Sequence, residues 1–418
     1  MTLCRVPCTL LFLVASVSEA VATAQVDSSC RDRVWSAPHL LGTPPAPWRT
    51  LRFPSLATRG GELYVAGMDI ARFTDSLRGP LLVVWSSGHG NLGRPAGDFR
   101  FVFPKVFVDH HDVLHLFWAE SANGPASQWT RWPLRTQSLW WATYDRRRGW
   151  SMPQRIYDGQ MMFWPADPAA ISMDTLTRTL NVIVPARTPP AAMSLLRLRY
   201  SNGTWQSDTI AGTRGAVSVS MPNLHGREVT VGYIAGMISA DRNGANSVFI
   251  VSSTDGGATW NPPRLLHSAQ GHPAQGIDVF HDGSHVVHIV WGENRSNDIG
   301  IDALRHMSSA DFGTTWSGAT DVALPHNVTA FAAATDDCGG LHAVYENWGA
   351  DGRAPGRLGY VRWDGSWSEP QDLVPELVAQ NPALLADSAG LRLVFVARPR
   401  SAPENAQFST WSSSLSRP

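Results

Sequence analysis

The sequence has almost no excess charge of either sign and very little lysine. Its 418 residues carry 34 Lys and Arg residues against 35 Asp and Glu residues, so the formal net charge is -1, and Lys105 is the only lysine. Proteins that attract nucleic acid or acidic membranes over long range carry an excess of positive charge. The balance gives no electrostatic case for either, and we expect neither as a partner.

Long apolar runs are absent after the first 24 residues. A membrane-spanning helix needs about 20 mainly apolar residues in a row, and no later stretch approaches that length. Residues 1–24 fit a secretory signal peptide, because Arg5 precedes the apolar run Leu10 to Val17 and Ala22-Thr23-Ala24 matches an A-x-A cleavage site. We therefore expect residues 25–418 to form a single exported domain, secreted or periplasmic, with a monomer favoured.

Cysteine is scarce as well. Cys4 and Cys8 lie in the signal peptide, which leaves Cys30 and Cys338 as the thiols of the mature chain. An oxidising destination permits one disulfide between them. The alternative is two unrelated cysteines, because a sequence does not show whether two Cα atoms come within the ~7 Å that a disulfide tolerates.

What the sequence does contain is one octet that occurs twice with the pattern S-x-D-x-G-x-T-W. The key residues are Ser253, Asp255, Gly257 and Trp260 in the first copy and Ser309, Asp311, Gly313 and Trp316 in the second. The chemistry predicts a hairpin turn. The Asp carboxylate accepts backbone N–H groups, Gly supplies a left-handed position, and Trp packs the turn onto a neighbouring strand.

These octets resemble the Asp box, or BNR repeat, of the sialidase superfamily. The resemblance implies an all-β fold, a β-propeller with the box between the outer strands of a blade. It indicates a fold more firmly than an activity, since Asp boxes also occur in lectins, lyases and sorting receptors.

A repeat of about 55 residues supports a propeller. Trp150, Trp205, Trp260, Trp316 and Trp367 are spaced by 55, 55, 56 and 51 residues. Strand-rich repeats of nearly fifty residues are typical of propeller blades.

A second pattern, out of phase with these tryptophans, consists of a strand, a turn and another strand. It recurs seven times, over residues 52–68, 103–119, 164–185, 217–234, 275–292, 328–346 and 381–397. Second strands such as Val287 to Trp291 are apolar enough to be buried on both faces. Seven blades are favoured, closed by an N-terminal strand from Val34 to Leu41 in the last blade. Six blades, usual for sialidases, would require one copy near 164 or 217 to be an insertion.

Asp109-His110-His111-Asp112 offers metal-binding side chains in a row. Its place in the repeat corresponds to an ordinary hairpin turn, so we expect no metal here and no other cofactor. His115, His288 and His342 share one strand position, which predicts a repeated hydrogen bond between blades rather than chemistry.

Polar residues gather where each first strand begins and each second strand ends, which antiparallel pairing places at one rim. At the second-strand ends are Asp69, Glu120, Arg187, Glu293, Arg295, Glu346 and Arg398. At the first-strand starts are Arg52, Lys105, Asp167, His272, Gln275, His326 and Asn381. Such a central polar funnel predicts a pocket for a glycan or another oxygenated small ligand, with Glu120 among the substrate-binding residues.

Leu51-Arg52-Phe53-Pro54-Ser55-Leu56 resembles the sialidase [FY]-R-I-P-[AS]-L motif, with Leu for the leading aromatic residue and Phe for Ile. The resemblance implies that Arg52 grips a substrate carboxylate through a bidentate pair. It also implies an acid/base aspartate in the loop after the next strand, for which Asp69 and Asp75 are candidates and the longer offset favours Asp75.

The rest of the sialidase set stays open. The family needs two more carboxylate-binding arginines, and the rim offers Arg187, Arg295 and Arg398. It also needs a tyrosine nucleophile activated by a glutamate. The candidates are Tyr233 or Tyr345 with Glu293 or Glu346. Tyr345 and Glu346 do not pair with each other, because adjacent residues on a strand point to opposite faces.

The sequence thus predicts an exported all-β propeller with a glycan-directed funnel. In one hypothesis it is a sialidase-type glycoside hydrolase, with Asp75 as the acid. A second hypothesis is a non-catalytic glycan-binding propeller, in which sugars stack on rim tryptophans, namely Trp118, Trp164, Trp291 and Trp348. A third is a scaffold that binds proteins.

Overall fold

The structure is a computed structural model in which all regular secondary structure of the described residues is β-strand. The described residues are 33–41, 51–69, 81–97, 102–120, 134–163, 169–174, 176–188, 192–220, 223–225, 227–236, 247–268, 274–282, 286–295, 300–349, 356–387, 390–403, 406 and 408–416. Within these ranges no helix is long and apolar enough to cross a membrane. The proposed signal peptide, Cys30 and Asp75 lie outside them.

The first ten strands are Val34–Trp35 (β1), His39–Leu40 (β2), Leu51–Arg59 (β3), Glu62–Asp69 (β4), Leu81–Ser86 (β5), Gly90–Gly93 (β6), Val102–Val108 (β7), Leu114–Glu120 (β8), Leu134–Asp145 (β9) and Gly149–Trp150 (β10). The next ten are Gln154–Phe163 (β11), Ala170–Met173 (β12), Leu180–Thr188 (β13), Ala192–Ser201 (β14), Thr204–Thr209 (β15), Ala216–Val219 (β16), Asn223–His225 (β17), Glu228–Ala235 (β18), Ser247–Ser253 (β19) and Arg264–His267 (β20). The last ten are Ala274–His281 (β21), Val287–Glu293 (β22), Ile301–Ser309 (β23), Thr320–Thr335 (β24), Leu341–Asn347 (β25), Arg357–Trp363 (β26), Gln371–Asp372 (β27), Leu377–Asp387 (β28), Gly390–Pro399 (β29) and Ser409–Ser416 (β30).

The strands form antiparallel sheets in which neighbours along the chain are usually neighbours in the sheet. The described residues contain five sheets, with the main orders β3-β4-β5-β6, β15-β14-β13-β11-β9-β8-β7, β16-β18-β19-β20, β21-β22-β23-β24-β25-β26-β27 and β1-β30-β29-β28. Two sheets each join successive groups of strands. In one, β11 pairs with both β9 and β13; in the other, the long β24 pairs with β23 and then with β25.

The second strand of several inner hairpins is buried on both faces. Every residue of β22 and of β25 is buried, and the same holds for β13 apart from Arg187. The prediction of two-sided burial from their apolar composition is therefore confirmed. Each strand packs between neighbouring sheets, and each fully buried large apolar side chain contributes about 1.5–3 kcal/mol relative to exposure.

The first octet forms the hydrogen-bonded turn that its residue types predict, between β19 and β20. The Asp255 carboxylate accepts the Thr259 backbone N–H at 2.8 Å and the Thr259 hydroxyl at 2.7 Å. The Ser253 hydroxyl accepts the Gly257 N–H at 2.9 Å, and Gly257 has a φ of 84°. Trp260 packs against a hydrophobic core cluster.

The second octet repeats these contacts between β23 and β24. The Asp311 carboxylate accepts the Thr315 N–H at 2.7 Å, and the Ser309 hydroxyl accepts the Gly313 N–H at 2.7 Å. Gly313 also has a positive φ, 87°, and Trp316 packs against its own core cluster. The two octets are therefore one structural device used twice.

A different device closes the turns of three inner hairpins. An aspartate in the turn lies beside a histidine six residues later on the second strand, at 3.3 Å for Asp109 and His115, 3.5 Å for Asp282 and His288, and 3.1 Å for Asp336 and His342. The other imidazole nitrogen meets an aromatic side chain on the third strand, at 3.2 Å for Trp141, 2.9 Å for His306 and 2.7 Å for Tyr360. The repeated histidine is structural, as expected, but the prediction that it bonds between blades is wrong, because both of its partners lie in its own hairpin and the adjoining third strand.

The Asp109 turn is also a hairpin turn, as predicted. One Asp109 carboxylate oxygen accepts the backbone N–H groups of His111 and Val113, at 2.8 and 2.9 Å. Burial acts to raise the pKa of Asp109, but hydrogen bonds from His115 and the turn lower it to about 2. Asp109 is therefore engaged in holding the turn.

The chain returns to its start in the last sheet. The N-terminal strands β1 and β2 both pair with β30, outside β29 and β28. Buried Arg33 adds an ion pair, with Nη1 3.4 Å from Asp336 Oδ2. Cys338 is a disulfide-bonded cysteine; its expected partner, Cys30, is not among the described residues, so that pairing stays a prediction.

We expect the octet hydrogen bonds to contribute measurably to stability. Removing the carboxylate in Asp255→Ala leaves the Thr259 N–H and the Ser253 hydroxyl without their acceptor, and should lower the free energy of unfolding by about 1–3 kcal/mol. Urea unfolding at neutral pH measures this change. Asp364→Ala at an exposed turn is the control, with an expected effect within about 0.5 kcal/mol. Equal stabilities of the two variants would contradict the assignment.

Candidate functional site

The first strands of five inner hairpins are irregular near the end at which they begin. The register shifts lie between Arg52 and Ser55, Ala216 and Ser218, Gln275 and Ile277, Val328 and Ala330, and Gln380 and Ala383. Such β-bulges redirect side chains and are frequent beside active sites. We call this end of the inner hairpins, where first strands begin and second strands end, the bulged rim.

Glu346 ties two hairpins together at the bulged rim. Its carboxylate, nearly fully buried, accepts the Asn381 backbone N–H at 2.7 Å and the Asn381 side-chain amide at 3.3 Å. Asn381 sits in the bulge of β28 with a φ of 52°. The end of β25 is therefore fastened to the start of β28 in the next sheet.

Trp348 lies against the same carboxylate. Its indole N–H donates to Glu346, and its backbone N–H donates to the Asn327 carbonyl at 3.3 Å. The Asn327 side-chain amide in turn donates to the Gly349 carbonyl at 2.5 Å. Trp348 is only half-buried, so the rim holds an aromatic ring in a fixed orientation with part of its surface open to solvent.

Glu293 is at the corresponding end of β22 and is 1% exposed. Its carboxylate lies 2.9 Å from Arg295 Nε, 3.4 Å from Arg305 Nη1 and 2.9 Å from His267 Nε2. Arg295 also reaches Asp321, at 2.6 Å. The predicted glutamate is thus surrounded by cationic and imidazole groups.

The other candidate arginines are divided between two environments. Arg187 is exposed at the end of β13, where Nη1 donates to Gln160 at 3.2 Å. Arg398 is buried in β29, and its guanidinium donates to the carbonyls of Ala402 and Pro403 at 3.0 and 3.2 Å. Arg398 therefore holds a loop of its own chain, whereas Arg187 faces solvent.

For three candidates the structure describes the backbone alone. Arg52 pairs with Met68 and Asp69 pairs with Leu51 in the first hairpin, and Glu120 ends β8 opposite Val102. All three stand at the bulged rim, as the repeat predicts. Their side chains lie outside the described part of the structure, so their roles stay predictions.

Both candidate tyrosines are buried in hydrophobic clusters. Tyr233 stacks on Phe249 with ring centroids 5.2 Å apart, and burial raises its pKa. The Tyr345 ring lies over Gly359 on the neighbouring strand, and burial raises the Tyr345 pKa to about 12. Tyr345 and Glu346 have separate surroundings, as adjacent residues on one strand should. Both phenols therefore lie in apolar surroundings, and the charge of Asp372 adds to the raised pKa of Tyr345.

The tryptophans suggested for sugar stacking are not equivalent. Trp118 and Trp291 are both 0% exposed, so the suggestion is wrong for these two. Second strands are covered on both faces, which removes any aromatic side chain within them from the surface. Trp164 lies outside the described residues, which leaves Trp348 as the described member of the group with exposed surface.

Sequence reasoning missed His267 and Arg305 beside Glu293. His267 is on the fourth strand of one group and Arg305 is on the third strand of the next, so both lie outside the inner hairpins of the repeat. A usable signal existed, since Arg305 is a charged residue opposite Trp291, at a position where other groups have Trp140, Gly359 and Trp411.

The comparisons with known proteins identify a fold. No protein-family model and no curated protein matches the chain. An ulvan lyase from a new family of polysaccharide lyases has a TM-score of 0.55 at 12% identity, over 92% of this chain and 96% of that chain. A protein of unknown function from Dyadobacter fermentans has a TM-score of 0.50 at 11% identity, over 76% of this chain and 94% of that one.

A phage phi92 endosialidase is more distant, with a TM-score of 0.49 at 9% identity over 91% of this chain and 69% of that chain. Identities this low establish a similar architecture only. The chain therefore shares an all-β, propeller-like fold with the ulvan lyase.

We expect Asn381 to be required for the shape of the bulged rim. Asn381→Gly keeps the positive φ but loses the side-chain bond to Glu346, whereas Asn381→Ala loses that bond and adds backbone strain. The alanine variant should therefore be less stable than the glycine variant, by about 1 kcal/mol. Thermal unfolding of both variants measures the difference. A glycine variant that is no more stable than the alanine variant would show that the left-handed conformation is not needed.

Proposed function

We propose that the protein is an exported β-propeller that binds glycan chains at the bulged rim. The observation that carries the proposal is Trp348, a half-buried indole fixed by Glu346 and by the Asn327 carbonyl. Sugar rings stack on such a surface at little entropic cost, because the aromatic side chain is already immobile. Neighbouring amides and carboxylates supply partners for sugar hydroxyls.

We further propose a ring of seven blades. Each of the seven repeats seen in the sequence corresponds to an inner hairpin, including β12 with β13 and β16 with β18, the two weakest copies. Strand β28 of the last group contacts β3 of the first. The pairing of β1 and β2 with β30 supplies the outer strand expected of a closed ring.

The ulvan lyase with the similar fold acts on a polysaccharide and was solved bound to a saccharide of GlcA and Rha3S units. That complex supports a polymeric, acidic glycan as the ligand class. The sialidase resemblance around Arg52 supports an acidic sugar independently, because a guanidinium recognises a carboxylate.

Sialidase-type hydrolysis is the second candidate function. It requires Arg52 with two further arginines at one carboxylate, Asp75 as the acid and a tyrosine activated by a glutamate. Arg295 and Arg398 already bind groups of the protein, and Tyr233 and Tyr345 are buried. Binding without hydrolysis is therefore favoured.

Glycan binding should depend on the Trp348 ring. Affinity electrophoresis in gels that contain ulvan, polysialic acid or dextran tests this, since a bound polymer retards the protein. Trp348→Ala should weaken binding about tenfold, the equivalent of roughly 1.4 kcal/mol. Trp348→Phe is the matched control, because it keeps an aromatic face although it loses the pyrrole ring of the indole with its N–H, and it should retain most of the affinity. Binding that is unchanged in Trp348→Ala would contradict the proposed surface.

We expect the purified mature chain to release no fluorescent leaving group from an aryl sialoside. The reason is that both tyrosine candidates are almost fully buried, and burial raises their pKa values. The assay is run beside an Arg52→Ala variant of equal Tm, with an active sialidase as the positive control. Turnover that disappears in Arg52→Ala would favour the hydrolytic candidate instead.

A further inference from the structure

The surroundings of Glu293 form a second polar cluster at the bulged rim. His267 comes from the end of β20 in one sheet, and Arg305 comes from β23 in the next. Both reach the Glu293 carboxylate, at 2.9 Å and 3.4 Å. Their side chains remain 21% and 22% exposed, while the carboxylate between them is 2% exposed. The carboxylate of Glu293 is therefore buried, whereas the side chains of His267 and Arg305 are partly exposed.

Arg305 departs from the repeat. It stands opposite Trp291, the large residue near the end of the second strand. The residues at the equivalent third-strand position in three other groups are apolar or small, namely Trp140, Gly359 and Trp411. Packing thus does not demand a guanidinium here. Arg305 instead lies over the Trp291 ring, 5.8 Å from its centroid.

His267 departs from the repeat too. It lies seven residues after the periodic Trp260, and the residues in that place after the other periodic tryptophans are Tyr157, Gly212, Ala323 and Val374. The turn histidines, by contrast, recur three times, and each has an aspartate partner six residues earlier in the sequence. Two independent departures that meet at one carboxylate are not explained by the architecture.

Glu293 determines which imidazole nitrogen of His267 is available. A carboxylate accepts hydrogen bonds, so the nitrogen beside it, Nε2, carries the proton and donates. In the neutral ring Nδ1 is then an acceptor. The ring is oriented further by Trp291, whose centroid is 5.4 Å away at an interplanar angle of 35°. The protein therefore presents a fixed acceptor at a partly exposed position.

The charge state agrees with this geometry. Burial lowers the pKa of His267, Glu293 opposes that effect, and Arg305 and Arg295 add to it, so that the pKa falls below the ordinary value of 6.5. The imidazole is neutral at neutral pH. Its Nδ1 lone pair is then free to accept a hydrogen.

We propose that His267, Arg305 and Glu293 form a sugar subsite in which His267 Nδ1 accepts a hydroxyl hydrogen and the guanidinium groups donate to sugar oxygens. The ligand class is a polyhydroxylated saccharide. The subsite deepens the proposed function and rests on it, because the same rim carries Trp348. Glu293 acts as a positioning residue that holds the tautomer.

Binding through this subsite should weaken in acid. The groups that face the imidazole are the Glu293 carboxylate and the Arg305 and Arg295 guanidiniums; Asp321 and Asp302 lie on the far side of Arg295, bound to its side chain and backbone N–H. Protonation of His267 turns Nδ1 from an acceptor into a donor and adds a positive charge beside two guanidiniums. The pKa of His267 in the folded protein is below 6.5, and the Nδ1 acceptor is lost as the pH falls through that pKa.

The experiment compares His267→Gln with the wild-type chain by affinity electrophoresis in ulvan, polysialic acid and dextran gels at pH 7.5 and pH 5. The side-chain amide of Gln can donate to Glu293 in place of the imidazole Nε2–H. It has no acceptor atom at the position of Nδ1. We expect its affinity at pH 7.5 to be roughly two- to tenfold weaker, and its dependence on pH to be smaller than that of the wild type. The matched control is His39→Gln, at an exposed position of β2, which should behave as the wild type.

The outcomes separate this inference from the proposed function. Loss of affinity and of pH dependence in His267→Gln, at unchanged Tm, supports the subsite. Binding that depends on Trp348 but is identical in His267→Gln and wild type overturns the subsite and leaves the proposed function standing. If none of the three polysaccharides retards the wild type, the proposed function fails and the subsite fails with it.

Discussion

Two-sided burial of the inner strands is the constraint on which the rest of this structure depends. A strand that is covered by a sheet on each face has no surface for polar side chains, so polar groups are confined to its two ends. Strands β22 and β25 show the result, because they are buried from end to end and have a glutamate, Glu293 or Glu346, at or next to their last residue that needs partners. Whatever polar chemistry the inner hairpins carry must therefore occur at a turn or at the rim.

The two ends meet this constraint differently. At the turn ends, aspartates accept backbone N–H groups and fix histidines, which then meet an aromatic side chain on the third strand. These contacts lie inside the protein. They recur in three hairpins, because in each of them a turn at the end of a buried strand has backbone N–H groups that need acceptors. At the opposite end, bulges interrupt the first strands, and Glu346 holds the bulge at Asn381. The groups there are held but still partly exposed, which is the condition for binding a ligand.

Departures from the repeat separate architecture from function. A feature that recurs with the same contacts, such as the octet turn that occurs twice, reflects how the sheets are built. A feature that breaks the pattern, such as Arg305 opposite Trp291 or a histidine at position 267, has to be explained by something else. The Trp348 surface and the Glu293 cluster lie at the ends of the second strands of successive hairpins, β25 and β22. An extended glycan is the kind of ligand that can contact both.

The sequence alone determined the local chemistry of this protein. Strand and turn positions, the octet hydrogen bonds, the buried second strands and the rim location of the candidates all followed from short-range patterns, because turn geometry and two-residue alternation are local properties. Tertiary structure decided which rim groups have free surface. Trp118 and Trp291 are buried while Trp348 is partly exposed, and Glu293 is bound by His267 from another sheet. Packing between sheets brings together residues that are distant in sequence, and neither their separation nor their exposure is encoded in any local pattern.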